Sequence, residues 1–431
     1  MDRFFVSSGK RTQGPFTAED LRRLVENGEL ALTDSVWSAE GDRWVEVAEL
    51  EPVRKLLSEE KPSSEQAEAK RIIAFASGKG GVGKTVLSAS VATALAVMGR
   101  RVLLVDGDLG GPDLHVQFGL LGRSEEGNGK LWPENAFTQT PLANLRLLRA
   151  EPGVLGAAHP PASQRLRFLR AIYSADADDV ILDLGAGTSY LVLDLFVSVD
   201  VPVLVATPDP MSLQEAFNLV KLGLIWKVIG RGDRPSEHWE GVLGKGMDGR
   251  GLALRTPIPE LISRLERERP ELAAKWKGAI AAWRPQLLLN MVRNGEERKE
   301  AGALQIACKD LLGVELGYLG HVDWDPSVRE AVNQYRPFLL YNPEGPAARS
   351  LAKLVAVRFL GKGQLQGFFA GRRMRKAAAE AGRGPVAAEA RSEVICSYRC
   401  SYWGDCEFQR GGEPCPVRQF EAVFRTAFTS S

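Results

Sequence analysis

The residues Ser77-Gly78-Lys79-Gly80-Gly81-Val82-Gly83-Lys84-Thr85 concentrate glycines, two lysines and a hydroxyl in one short stretch. An apolar run, Ile72 to Ala76, precedes it, and a helical pattern from Val86 to Val97 follows. That order reads as strand, glycine loop, helix. Such a loop turns successive backbone N–H groups inward, where they can hold phosphate oxygens. The spacing Gly78-x4-Gly83-Lys84-Thr85 puts a lysine within reach of the terminal phosphates and a hydroxyl where it can ligate Mg2+. A plain glycine turn would not require Lys84-Thr85 in that register. The candidate binding residues are therefore Gly78, Lys79, Gly80, Gly81, Val82, Gly83, Lys84, Thr85 and Val86, and the loop by itself specifies a nucleoside triphosphate.

Two further strand ends carry carboxylates. Val102-Leu103-Leu104-Val105 closes on Asp106-Gly107-Asp108. Carboxylates at the C-terminal end of a strand lie beside the ligand in an open α/β sheet. Asp106 and Asp108 are two apart, so extended backbone sets them on one face, and Asp106 is expected to support Mg2+. Val180-Ile181-Leu182 closes on Asp183, followed by Leu184-Gly185-Ala186-Gly187-Thr188. Here Asp183 is expected to hold Mg2+ through water, with Gly185 sensing the terminal phosphate; the loop suits an order–disorder switch.

A different chemistry sits near the other end. Cys396, Cys400, Cys406 and Cys415 follow the pattern C-x3-C-x5-C-x8-C-P. Four thiolates in twenty residues, with no histidine nearby, can surround one tetrahedral ion or a cluster. Pro416 after the last cysteine suits an iron–sulfur cluster, and the absence of paired C-x-x-C knuckles counts against a common zinc ribbon, so iron–sulfur and Zn2+ both stand. The rivals are two short disulfides or free thiols. Cys308, on a helical pattern, reads as a small buried hydrophobe.

The chain must position these groups with 431 residues, which is two or three domains. A net charge of +1 means that attraction to nucleic acid or membrane must be local. No apolar run approaches the length of a membrane span, and a cytoplasmic protein is expected. Residues 1–57 read as a small α+β unit. Phe4-Phe5-Val6 is a strand, and Gly14-Pro15-Phe16 a turn. Thr17 caps a helix with Asp20 three residues on, and Val36-Trp37 and Trp44-Val45 are short strands. Residues 58–70 are a polar linker. Residues 71–360 form the α/β body. Within it, Thr207-Pro208-Asp209-Pro210-Met211-Ser212 leads into a helix, Leu213 to Trp226, which Ser212 can cap. Leu287-Leu288-Leu289-Asn290 is a further strand end, and residues 230–284 look inserted, with a helical pair containing Leu261, Leu265 and Trp276. Residues 361–393 are a basic linker, and 394–431 the four-cysteine module.

With Lys79 near its start, the loop resembles that of the deviant Walker A ATPases of the MinD/ParA class. Thr207 to Ser212 resembles a stretch of FlhG-type proteins, and the resemblance covers residues 71–360. It implies a mostly parallel, twisted P-loop NTPase sheet and ATP with Mg2+ as the ligands. It also implies a homodimer in which Lys79 reaches across to the partner's nucleotide, Asp108 positioning the attacking water, and Asn290 reading the adenine base. Lys79, Lys84 and Asp108 are thus the catalytic candidates. The N-terminal unit resembles the GYF-2 type, through Gly14-Pro15-Phe16, Leu21, Gly28, Val36-Trp37 and Trp44. That implies docking of a proline-rich peptide from a protein partner; the competing reading is that these aromatics only fill a tiny core.

From Gly345 to Ala379 there is no acidic residue, and Leu365, Phe368 and Phe369 precede Arg372-Arg373. MinD-like proteins carry a membrane-targeting helix at this place, so residues 361–376 are a candidate for peripheral contact with the inner face of the cell membrane. A solvated basic linker or a DNA-touching patch are the rivals. The leading expectation is an ATP-dependent dimerising switch that positions or regulates a division, flagellar or polar assembly. An iron–sulfur cluster carrier is the second reading. A ParA-like DNA-segregating ATPase is the third, which the near-neutral charge disfavours.

Overall fold

Ile72, Ala74 and Ala76 turn to one side of a strand and Ile73 and Phe75 to the other, and all five are buried. A strand apolar on both faces needs cover on both faces, which is the condition of a parallel sheet between helices. The computed structural model describes residues 4–8, 11–17, 20–21, 35–38, 43–46, 70–120, 137–149, 162–229, 256–361 and 373–380.

Among these residues the N-terminal unit is a four-stranded antiparallel sheet of β1 (Phe4–Ser8), β2 (Arg11–Phe16), β3 (Ser35–Ser38) and β4 (Arg43–Glu46), in the order β2-β1-β3-β4. Gly14-Pro15-Phe16, expected as a turn, instead closes β2, with Phe16 opposite Phe4. The backbone and hydroxyl of Thr17 both donate to Asp20 Oδ2, at 2.9 and 2.7 Å, and Asp20 N donates back to Thr17 Oγ1 at 3.2 Å. This reciprocal cap is the one the sequence signals. Trp37 and Trp44 meet edge to face on paired strands, and Trp44 stays exposed.

The body begins with β5 (Arg71–Ser77), α1 (Lys84–Val97) and β6 (Val102–Gly107), then β7 (Phe137–Gln139), β8 (Leu145–Leu148), α2 (Ala162–Ser174), β9 (Asp179–Ala186), α3 (Tyr190–Phe196), β10 (Val201–Ala206) and α4 (Pro210–Ile229). It continues with α5 (Ile258–Glu268), α6 (Pro270–Ala281), β11 (Gln286–Val292), α7 (Gly295–Ala307), β12 (Gly317–Asp323), α8 (Ser327–Asn333), α9 (Phe338–Tyr341) and α10 (Pro346–Leu354). The eight strands lie in the order β12-β11-β10-β5-β9-β6-β8-β7, parallel except for β7 at one edge. One face packs on α3, α4, α5, α6 and α7; the other packs on α1 and on α8 to α10. The paired α5 and α6 bury Leu261, Leu265 and Trp276 against that first face, which accounts for the apolar side of an otherwise charged pair. Cys308 is fully buried at the start of a π-turn that follows α7, and burial pushes its thiol up to about 12.

Three boundaries differ from expectation. Lys70, at the end of the expected linker, already belongs to the body: its Nζ donates to the carbonyls of Ile172, Tyr173 and Ala175 at 2.7, 2.9 and 2.8 Å. A cation there satisfies carbonyls left open at the C-terminus of α2. Residues 373–380 of the expected basic linker are helical, and Met374 is 1% exposed within the core on the α1 side. Arg373 Nη1 donates to Met98 O at 3.5 Å, and Arg375 pairs with Glu344. Met374, the large apolar residue of this segment among the described residues, is thus spent inside the protein. The third change is the helix expected at Leu213, which starts at Pro210. Its cap is Asp209, whose Oδ1 accepts from Ser212 N at 2.9 Å, while Ser212 Oγ accepts from Thr207 N at 3.0 Å. Proline suits the first helical position because no N–H is needed there. No helix among the described residues is long and apolar enough to cross a membrane. Leu365, Phe368, Phe369 and the four tail cysteines, Cys396, Cys400, Cys406 and Cys415, lie outside the described residues.

Candidate functional site

The phosphate-loop candidates join the C-terminal end of β5 to α1. Gly81 and Gly83 take positive φ, 81° and 84°. Glycine meets that geometry without strain. A Cβ on Gly80 or Gly81 would meet nothing within 4 Å, so this backbone faces open space. Gly78 is the opposite case: a Cβ would lie 2.2 Å from Glu215 O, so only glycine lets the loop start against α4. Helix α1 begins after Gly83 with no side-chain cap and no acidic residue in its first turn. The N–H groups that open it, including those of Thr85 and Val86, are therefore free of a protein carboxylate, which is what an anion needs at a helix N-terminus.

Lys84 is 6% exposed, and its Nζ lies 3.0 Å from Asp183 Oδ1. Asp183 is fully buried, and its Oδ2 makes no hydrogen bond. Burial drives the carboxyl up from the ordinary range, and the Lys84 ammonium opposes that. Asp106 stands beside Asp183 in register on the neighbouring strand. Its oxygens accept from Asp108 N and Leu114 N, each at 3.2 Å. Burial first, then the charges of Asp183 and Asp113, push Asp106 well above the usual range. Asp106 therefore organises the loop that follows it as well as facing the cleft. Asp108 lies over the end of β9, its Oδ1 3.2 Å from where a Cβ on Gly185 would be, and it accepts from Gly111 N at 3.3 Å. Gly187 N donates to Ser77 O at 2.9 Å, which ties the loop after β9 to the start of the phosphate loop.

Lys79 is half-exposed, and its Nζ is 3.0 Å from Asp209 Oδ1. Partial burial works against ionising Asp209. The Thr207 hydroxyl, the Ser212 amide and Lys79 outweigh it and hold that carboxyl at about 2. Asn290 Nδ2 donates to Val82 O at 2.8 Å and presses on Gly83, where a Cβ would lie 2.4 Å away. The fold thus brings Lys79, Lys84, Thr85, Asp106, Asp108, Asp183 and Asn290 around one loop. The cysteine set cannot be placed against them, and no group of three or more metal-ligating side chains is assembled among the described residues.

Two residues not singled out from the sequence belong to this site. Asp113 stands at the cleft mouth and is raised to about 6, first by desolvation, then by Asp183, against the pull of Lys84. The stretch Leu109 to His115 resembles the switch region of MinD-like proteins, but nothing in it singles out Asp113, because its neighbours in the cleft come from other strands. Asp209 did carry a signal, an aspartate directly before a helix-opening proline. His115 is mostly buried, with Nδ1 unpartnered; burial, then Arg149, lower it to about 4, so it is neutral near pH 7.

The residues present suit a Mg2+–nucleotide. An uncapped helix N-terminus and a buried lysine receive the phosphates. The buried Asp183 carboxyl stands among Lys84 and the Thr85 and Ser88 hydroxyls, oxygen donors that suit a hydrated cation. Loop, strand order and aspartates together define a P-loop nucleotide-binding domain. Residues 68–226 match the ParA family model, described as NUBPL iron-transfer P-loop NTPase, and residues 4–51 match GYF domain 2. Residues 68–226 are therefore similar to the P-loop NTPase domain of the ParA family. It is 31% identical over 157 residues to the antiactivator FleN of Pseudomonas aeruginosa, covering 35% of this chain and 56% of FleN. It is 28% identical over 204 residues to an iron–sulfur cluster carrier protein of Rickettsia felis, covering 43% and 64%. The chain thus spans less than two thirds of the length of either relative. The septum site-determining protein MinD of Pyrococcus horikoshii, solved with Mg-ADP, aligns with a TM-score of 0.44 and 22% identity, over 66% of this chain and 94% of that one.

Proposed function

We propose that this protein is an ATP-hydrolysing switch of the MinD/FlhG kind, which pairs with a second copy when ATP is bound and then engages a protein partner. The observation that carries the reading is the buried Lys84–Asp183 pair beside an uncapped helix start, with Asp108 laid over Gly185. In this arrangement the Lys84 ammonium and the N–H groups opening α1 bind and orient the terminal phosphates. The Thr85 hydroxyl, Asp183 and Asp106 would hold Mg2+, which would neutralise phosphate charge when bound. Asp108 accepts a hydrogen bond from the attacking water and aligns it. Gly185 and Gly187 couple the terminal phosphate to α3 and thence to the surface.

Asn290 supports adenine recognition by its hydrogen bonding. With one Nδ2 hydrogen given to Val82 O, it keeps an acceptor oxygen and a second N–H, a pair that matches the 6-amino group and the neighbouring ring nitrogen of adenine. Lys79 in the single chain is held by Asp209, and reaching a partner's nucleotide requires it to leave that contact. The N-terminal sheet, with Trp44 exposed beside Trp37, supports docking of a proline-rich segment of the partner. The domains proposed are 1–57, 71–360 and 394–431, with Lys70 and residues 373–380 docked on the middle one.

The deciding experiment measures phosphate release, together with ATP-dependent light scattering, on the full chain. The wild type should hydrolyse ATP slowly and dimerise with ATP but not ADP. Asp108→Ala should retain ATP-dependent dimers while turnover falls by about 10²-fold or more. Hydrolysis undiminished in Asp108→Ala would sink the assignment. A second reading, an ATP-dependent iron–sulfur carrier, is favoured by the family model's description and by the Rickettsia felis relative. Iron bound at Cys396, Cys400, Cys406 and Cys415, and its ATP-dependent transfer lost in Cys396→Ser/Cys400→Ser, would select it; Zn2+ or no metal in protein purified under nitrogen would exclude it.

A further inference from the structure

Trp324 follows β12 and is 47% exposed, an unusual position for a large indole. It is not loosely placed. Its backbone N–H donates to Val292 O at 2.8 Å, which fixes it beside the end of β11. The guanidinium of Arg293, also exposed, lies 5.7 Å from the ring centroid, so the indole already holds a flat cation on its face. Arg293 is anchored only at its backbone, where its N–H donates to Glu297 Oε2 at 2.7 Å.

Both residues stand at the C-terminal ends of adjacent parallel strands, the same end of the sheet that carries the phosphate loop. Asn290, three residues before Arg293, contacts Val82 and Gly83. Met291 takes a left-handed φ of 59°, rare for a residue with a side chain, and its Cε lies 3.5 Å from where a Cβ on Gly83 would be. The turn at Met291 thus sets the end of β11 directly on the phosphate loop. The orientation of the ligand follows from the strand order. The reacting end of a triphosphate must face Lys84, Asp183 and Asp108, on the β9 and β6 side of β5. The opposite end must leave over β11 and β12, on the other side of β5. Among the described residues, that side presents one exposed indole.

The geometry points to Trp324 as the platform on which the nucleobase stacks, the base taking the face that the Arg293 guanidinium covers. This rests on the nucleotide reading above and adds a determinant to it. Asn290 selects the edge of the base, and Trp324 holds its plane. Stacking is indifferent to the phosphates, so the two contributions separate experimentally.

The test is calorimetric titration of the full chain with a non-hydrolysable ATP analogue and, separately, with inorganic tripolyphosphate, each with Mg2+. Wild type, Trp324→Ala and Trp324→Phe are compared. Trp324→Ala should weaken the analogue by about tenfold, leave tripolyphosphate unchanged, and be largely rescued in Trp324→Phe. Equal affinity of wild type and Trp324→Ala for the analogue overturns the inference. So does a parallel loss for both ligands, which would make the indole a structural support. Wild-type protein that binds neither ligand overturns the nucleotide reading itself, whereas wild-type binding with no effect at Trp324 removes the platform alone.

Discussion

The pair Lys84–Asp183 sets the terms for every other residue in the cleft. A lysine and an aspartate removed from water are tolerable only together, because taking away one partner leaves the other buried and uncompensated. Lys84→Ala should therefore abolish nucleotide binding and also destabilise the protein, by about 3–5 kcal/mol in chemical denaturation. Asp113 lends the site a pH dependence. Its folded pKa, about 6, lies above its unfolded value. Folding is then favoured by this group at low pH, and that contribution is lost as pH rises from about 4 to about 6. Part of the residue is open to solvent, so screening tempers the effect. Buried Asp106 and Asp183 shift in the same direction. Melting temperatures across that interval should fall less steeply in Asp113→Asn than in wild type; an unchanged slope would remove Asp113 from the charge cluster.

At the scale of elements, α4 does two jobs. Its start holds Lys79 through Asp209, and its middle accepts the ring of Trp283 against Gly223, where a Cβ would lie 2.8 Å from the indole edge. Gly223→Ala should overpack that contact and lower stability by about 1–3 kcal/mol, read as a shift in urea midpoint with no change in slope. Asp209→Ala removes the helix cap, at about 1 kcal/mol, and at the same time frees Lys79. Light scattering with ATP should then show dimers at lower protein concentration, despite the weaker fold. Loss of dimers in a well-folded Asp209→Ala protein would place that carboxylate in the pairing surface instead. The three helix-to-loop details that differ from sequence expectation, at Pro210, Lys70 and 373–380, share one cause. Each depends on a partner more than twenty-five residues away or on competition between adjacent caps, which local pattern does not encode.

At the scale of the molecule, the segment after the eight-stranded sheet is partly joined to it. Met374 fills a place in the core shared with α1 and α10, and Arg375 pairs with Glu344. Met374→Ala should cost about 2 kcal/mol or more through the cavity it leaves. The loss should appear in the main unfolding transition of the α/β body, not in a separate one. A separate, unchanged main transition would show that residues 373–380 add nothing to the body.

Sequence alone determined the phosphate loop, the strand-end aspartates and the parallel α/β body. The reason is that these are local: glycine spacing specifies a turn, and continuous apolar runs ending in carboxylates specify buried strands. The N-terminal cap at Thr17 and Asp20 is local in the same way. Tertiary structure alone decided that Asp209 holds Lys79, that Asn290 gives its amide to Val82, that Asp113 joins the cleft, and that Trp324 meets the Arg293 guanidinium. Those residues come from different strand ends, and only the order in which the strands pair brings them within reach of one another.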